Sequence, residues 1–86
     1  MLAITVMFEF RDSIDKYDRA LRLVPELGDQ PGRRSHVCAQ TDDGFIVVEV
    51  WESPDAFDHF LRLFGPLMTE VGLPCEPRIA PVHHAM

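Results

Sequence analysis

In the stretch VVEVWESPDAFDHF, residues 47 to 60, Glu49 and Trp51 interrupt a valine-rich run just before Ser53-Pro54-Asp55 opens an aromatic segment. Residues two apart on a strand share a face. Glu49 therefore goes with Val47 and Trp51, and Ile46, Val48 and Val50 make up the opposite, wholly apolar parity. That apolar parity is the natural seat for covering helices, which predicts Glu49 and Trp51 on the other face, against a partner subunit. A carboxylate buried there needs a partner or must give up its charge. Beside an aromatic ligand, Glu49 would serve as a general base for a phenolic or enolic proton. The alternative is an interface ion pair, for instance with Arg34 or Arg78. Trp51 offers a flat apolar surface for stacking, with its indole N–H at a polar edge; its alternative role is packing between subunits.

Only histidine titrates near neutrality without help, so His36, His59, His83 and His84 are candidate acids or bases. His36 shares a parity with Cys38 and Gln40, which makes that side of its strand polar. His83 and His84 are consecutive, so only one of them can face inward. If two copies meet sheet to sheet, the closing strand of one approaches the second strand of the other, and His36 would meet His83 or His84 across the interface. Tyr17 could hydrogen-bond a ligand, although its helical spacing also suits the core. No H-x-H or H-x-x-x-H pair is present, and Cys38 and Cys75 form no CxxC, so no metal site is expected. Nucleophile elbows, phosphate loops and dinucleotide fingerprints are absent as well.

The elements that must position these groups follow from periodicity. Residues 2 to 10 alternate, with Leu2, Ile4, Val6, Phe8 and Phe10 on the greasy side of a strand. Asp12 or Ser13 can cap a helix carrying Ile14, Tyr17, Ala20, Leu21 and Val24 at helical spacing, and Pro25 ends it. PELGDQPG reads as a loop. Residues 34 to 41 and FIVVEVWE are two strands of a hairpin around Asp-Asp-Gly. Ser53 caps a second helix, whose stripe is Phe57, Phe60, Leu61 and Phe64; Gly65-Pro66 is expected to break or kink it. Gly72 can close it. EPRIAPVHHAM reads as an edge strand, since prolines are unwelcome in a central one.

The order β-α-β-β-α-β predicts an α+β ferredoxin-like plait: a four-stranded antiparallel sheet with both helices on one face. The 86 residues make one domain, 1 to 86. Its bare sheet face needs cover, and a second copy supplies it, so a homodimer is expected. The formal charge of −6 leaves no basic stripe for nucleic acid or an anionic membrane. MLAITVMFEF has no basic n-region and reads as a strand rather than a leader, and no apolar run reaches the roughly 20 residues of a span. A soluble, cytoplasmic protein is expected.

The strand VVEVWE, the cap SPDAF, the aromatic helix with GP, and the ending PVHHAM together resemble the dimeric α/β-barrel superfamily, in particular its antibiotic-biosynthesis-monooxygenase branch. The resemblance implies a homodimer whose two sheets face one another as a barrel. It also implies a cofactor-independent enzyme on an aromatic or polyketide-like small molecule, acting as a monooxygenase or as a cyclase or isomerase. A non-catalytic dimeric binding or accessory protein is the alternative. Trp51 matches the tryptophan that often ends the third strand in the family. The family's helix histidine falls on Phe60, with His59 one residue early and about 100° round the helix. The haem-degrading branch needs an asparagine on its first strand, and this chain has none. Residue type and spacing together with the resemblance make Glu49, His59 and His36 the candidate catalytic groups and place Trp51, Tyr17, Phe60 and His83 around a ligand, and the resemblance implies no cofactor.

Overall fold

The computed structural model describes residues 2 to 85. Strand β1 is Ile4–Phe10, helix α1 Ile14–Leu23, strand β2 Arg33–Thr41, strand β3 Gly44–Trp51, helix α2 Pro54–Glu70 and strand β4 Arg78–Pro81. The strands pair antiparallel in the order β2-β3-β1-β4. This is the ferredoxin-like plait. Among the described residues no helix is long and apolar enough to cross a membrane.

The helices start where side chains satisfy their free N–H groups. Ser13 caps α1 by accepting from the Asp15 N–H, and Ser53 caps α2 by accepting from the Ala56 N–H. Pro25 ends α1, with Val24 leaving the helical region at φ −134° and ψ 81°, and a short 3-10 turn, Pro25–Gly28, begins the expected loop. Helix α2 ends in a paired reverse turn at Gly72, whose φ of +85° suits glycine. Leu73 N–H bonds the Met68 carbonyl and Gly72 N–H that of Thr69, which locks Leu73 into the core.

Two expectations are overturned here. Helix α2 runs unbroken through Gly65-Pro66. A proline deletes only one helical bond, that to the residue four before it. Pro66 and Arg62 both lie on the exposed side, where water can bond the freed Arg62 carbonyl.

The second correction concerns the faces of the sheet. Phe45, Val47, Glu49 and Trp51 are the buried residues of β3 and lie under the helices, whereas Ile46, Val48 and Val50 sit on the open face. Register decides this. Ile4, Val6, Phe8 and Phe10 stand opposite Trp51, Glu49, Val47 and Phe45, and opposed residues point the same way. The aromatics then fill the layer between sheet and helix. Trp51 is fully buried, with Phe57 and Phe60 of α2 at ring distances of 5.5 and 5.3 Å. The three aliphatics could not span that gap.

β4 is shorter than the expected closing strand, and His83 and His84 follow it, both exposed. Met86, the last residue of that expectation, lies outside the described residues.

Candidate functional site

Glu49 is the one buried carboxylate among the described residues, with a side chain 3% exposed. Three side chains contact its carboxylate. His36 Nδ1 lies 2.5 Å from Oε2, Arg33 Nη1 donates to the same oxygen at 3.4 Å, and Trp51 Nε1 donates to Oε1 at 3.0 Å. On its other side the His36 ring meets Tyr17: Nε2 lies 2.6 Å from the tyrosine hydroxyl. These contacts form a chain, Tyr17–His36–Glu49, braced by Arg33 and Trp51. No buried side-chain polar atom among the described residues lacks a partner.

Each member is delivered by its element. Trp51 and Glu49 share a face of β3 through the two-residue period. His36 stands opposite Glu49 in the β2–β3 ladder. Arg33 has the opposite parity from His36 and would point away on a regular strand. The register slips between Arg33 and Ser35: Arg33 opposes Trp51, and Ser35 already opposes Val50. This bulge holds one extra residue, Arg34, and turns Arg33 inward. Arg33 is 4% exposed and also lies over the Trp51 ring at 5.9 Å. Tyr17 comes from α1 and packs edge-on to Phe45.

The cluster borders an apolar cleft of about 50 Å³ between the sheet and both helices, with Phe8, Val47, Tyr17, Leu21, Phe60 and Met68 among its walls. That is room for a few waters, whereas drug-sized ligands occupy roughly 300–1,000 Å³. Any aromatic ligand would have to widen the cleft. Burial raises the Tyr17 hydroxyl pKa above its usual value; the charges of Cys38, Glu49 and Asp18 add to this, and Arg33 opposes it. Burial and then the Glu49 charge push the Cys75 thiol up to about 11, and burial and Asp18 raise Cys38. Both thiols stay protonated at neutral pH and are poor nucleophiles.

The geometry revises several sequence expectations. The partner of Glu49 is Arg33, not Arg34 or Arg78. Trp51 has no free surface for stacking a ligand. Tyr17 reaches the polar cluster. His59 is exposed on the solvent side of α2, and the Phe60 beside it packs against Trp51. His36 points under the helices with both ring nitrogens engaged, so a meeting with His83 or His84 through the open sheet face is ruled out. Arg33 was missed because the strand was expected to begin at residue 34, and its inward turn depends on a bulge. The hairpin register would have paired His36 with Glu49 had the turn been used to count it.

No family model and no curated protein matches the chain by sequence. Solved structures do match in fold. A candidate monooxygenase from Shewanella loihica PV-4 is 22% identical, with a TM-score of 0.66 over 98% of this chain and 97% of its own. A candidate antibiotic biosynthesis monooxygenase from Chloroflexus aurantiacus J-10-fl is 21% identical, with a TM-score of 0.63 over 98% and 96%. The ActVA-Orf6 monooxygenase of Streptomyces coelicolor, solved with nanaomycin D, is 20% identical, with a TM-score of 0.61 over 99% and 89%. At these identities the shared property is the fold.

Proposed function

We propose that the chain is a small cofactor-independent enzyme that uses the Tyr17–His36–Glu49 chain for acid–base chemistry on an aromatic or polyketide-like small molecule. The reaction is a monooxygenation or a cyclisation or isomerisation, and the working unit is a homodimer joined through the open sheet face. One observation carries the reading: a buried carboxylate backs an imidazole, in hydrogen-bond contact, at the wall of an apolar cleft. A positioned acid or base of this kind contributes on the order of 10²- to 10⁴-fold in rate. The matching structures described as monooxygenases support the reading through fold analogy. Glu49 itself is not the direct base, because its side chain is 3% exposed and three donors already crowd its carboxylate. It orients His36 and faces the charge that forms there.

Glu49→Gln tests this with turnover of a phenol- or anthrone-type substrate, read as oxygen uptake or product formation. The variant should lower kcat by at least about tenfold. Because it also leaves Arg33 without its counter-charge, activity is compared at a temperature where circular dichroism shows both proteins folded. Full activity in the folded variant sinks the reading. The cleft's small volume favours a second reading, a non-catalytic dimeric binding or accessory protein, which would bind such compounds without turnover.

A further inference from the structure

The capacity of the polar cluster to accept a proton is almost exhausted. Arg33 and the Trp51 indole are donors only, so neither can take a proton from a ligand. Glu49 has Oε1 committed to Trp51 and Oε2 shared by His36 and Arg33. The imidazole has one nitrogen on Glu49 and the other on Tyr17. An ionised Glu49 only accepts, which puts the imidazole proton on Nδ1 and leaves Nε2 as the acceptor for the Tyr17 hydroxyl. A hydroxyl that donates one bond still has lone pairs free. Tyr17 is half-buried and lines the cleft, so of the five groups it alone offers the cleft both a free lone pair and a transferable proton.

We propose that Tyr17 is the catalytic residue that exchanges a proton with the ligand, and that the ligand carries that proton on a phenolic or enolic oxygen. This rests on the acid–base reading of the cleft given above. The transfer balances without an oxidant. The ligand O–H proton passes to the Tyr17 oxygen as Tyr17's own proton passes to His36 Nε2. The ligand becomes an oxyanion and His36 an imidazolium held between Glu49 and Tyr17, and reversal restores both.

The first test needs no ligand. Nitrogen-15 NMR of the His36 ring, assigned with His36→Gln, should show the proton on Nδ1 and a bare Nε2 whose resonance moves in Tyr17→Phe. A proton on Nε2 at neutral pH overturns the proposal, since Tyr17 could then pass nothing inward. The second test uses 4-nitrophenol, whose phenolate absorbs in the visible. Bound to the wild type it should ionise at least about threefold more readily than in solution, a shift of about half a pKa unit. Tyr17→Phe should return its ionisation to the solution value while neutral-probe affinity stays within about threefold. A Tyr17→Phe variant that keeps the shift, or binds the probe more than about tenfold tighter, overturns the relay and makes Tyr17 a plug that ligands displace from His36. No binding by the wild type would sink the acid–base reading of the cleft and the proposal with it, whereas binding with an unaltered shift in Tyr17→Phe sinks the relay alone.

Discussion

Residues 45 to 51 supply both faces of one strand, and the two faces meet different physics. Under the helices, Phe45, Val47 and Trp51 are sealed in with Glu49, so the apolar layer contains a charge and must satisfy it. Arg33, His36 and Trp51 do so. On the open side, Ile46, Val48 and Val50 stand beside Met7 and Val37 with no helix above, and the charges there, Glu9 opposite Ile46 and Arg78 opposite Met7, flank this aliphatic patch rather than lie within it. Val37 is 58% exposed. The side that looks like core by composition is the uncovered one, and the side that carries the acid is the core. A strand with one buried face can tolerate a carboxylate inside if partners arrive from its neighbours. An apolar outer face is tolerated in a different way, by being covered with something else.

Two neighbouring substitutions should separate the faces with the largest effect. Val47→Lys places an ammonium in the sealed layer with no carboxylate to spare, and should abolish folding, read as loss of the circular dichroism of the sheet. Val48→Lys, one residue on, lies between Val37 and Met7 on the open face. It should leave the spectrum intact and halve the sedimenting mass at micromolar concentration, because the wild type is expected as a dimer through this face. If Val48→Lys stays dimeric, or the wild type sediments as a monomer, the proposed interface is wrong.

Arg33→Ala tests how the covered face tolerates its acid. Removing one partner of a buried pair leaves the other charge uncompensated, and typically costs roughly 3–5 kcal/mol. For a chain of this size that is a fall in Tm of more than about 10 °C. Arg34→Ala, at the exposed extra residue of the bulge, should change Tm by less than about 3 °C. Equal effects at the two arginines would mean that the bulge does not aim Arg33 inward.

The sequence made the elements legible because each signal is local: alternation in residues 2 to 10, Ser13 and Ser53 as caps, Pro25 and Gly72 as stops. What misled was choosing the inner face of β3 by counting aliphatics. Taken alone, Ile46, Val48 and Val50 look more like core than a row containing Glu49. Pairing against β1, whose greasy side was unambiguous, reverses that choice. The cluster was half legible. Glu49, Trp51, His36 and Tyr17 were candidates from residue type, but their grouping depends on cross-strand register and on a bulge. Nothing in the residue types marks the bulge, and a strand expected to begin at residue 34 left Arg33 outside it, whereas the observed strand begins at Arg33. Pro66 misled in another way, since the cost of a helical proline depends on whether the freed carbonyl faces water, which residue type does not state.

The smallest expected effect is alkaline, and it again belongs to the covered face. The Cys75 thiol lines the same cleft as Glu49, and burial raises its pKa from the usual 9.0 to about 11. Below pH 9 the folded and unfolded chains both hold this proton, and the group has no influence on stability. Between about 9 and about 11 the unfolded chain releases the proton while the folded chain keeps it. The folded state then binds more protons, so stability must fall as pH rises through that window. Tyr17, raised in the same direction by burial, adds to the fall above its usual value of 10.0. Urea midpoints at steps from pH 8 to 11, under reducing conditions, should therefore decline for the wild type. Cys75→Ala should lower the midpoint at pH 8, because it leaves a small void, yet show a shallower decline with pH. An identical slope in the two proteins would show that Cys75 is not held protonated against the cleft, and that the covered face is wetter at that end than the packing of Leu73 and Phe60 implies.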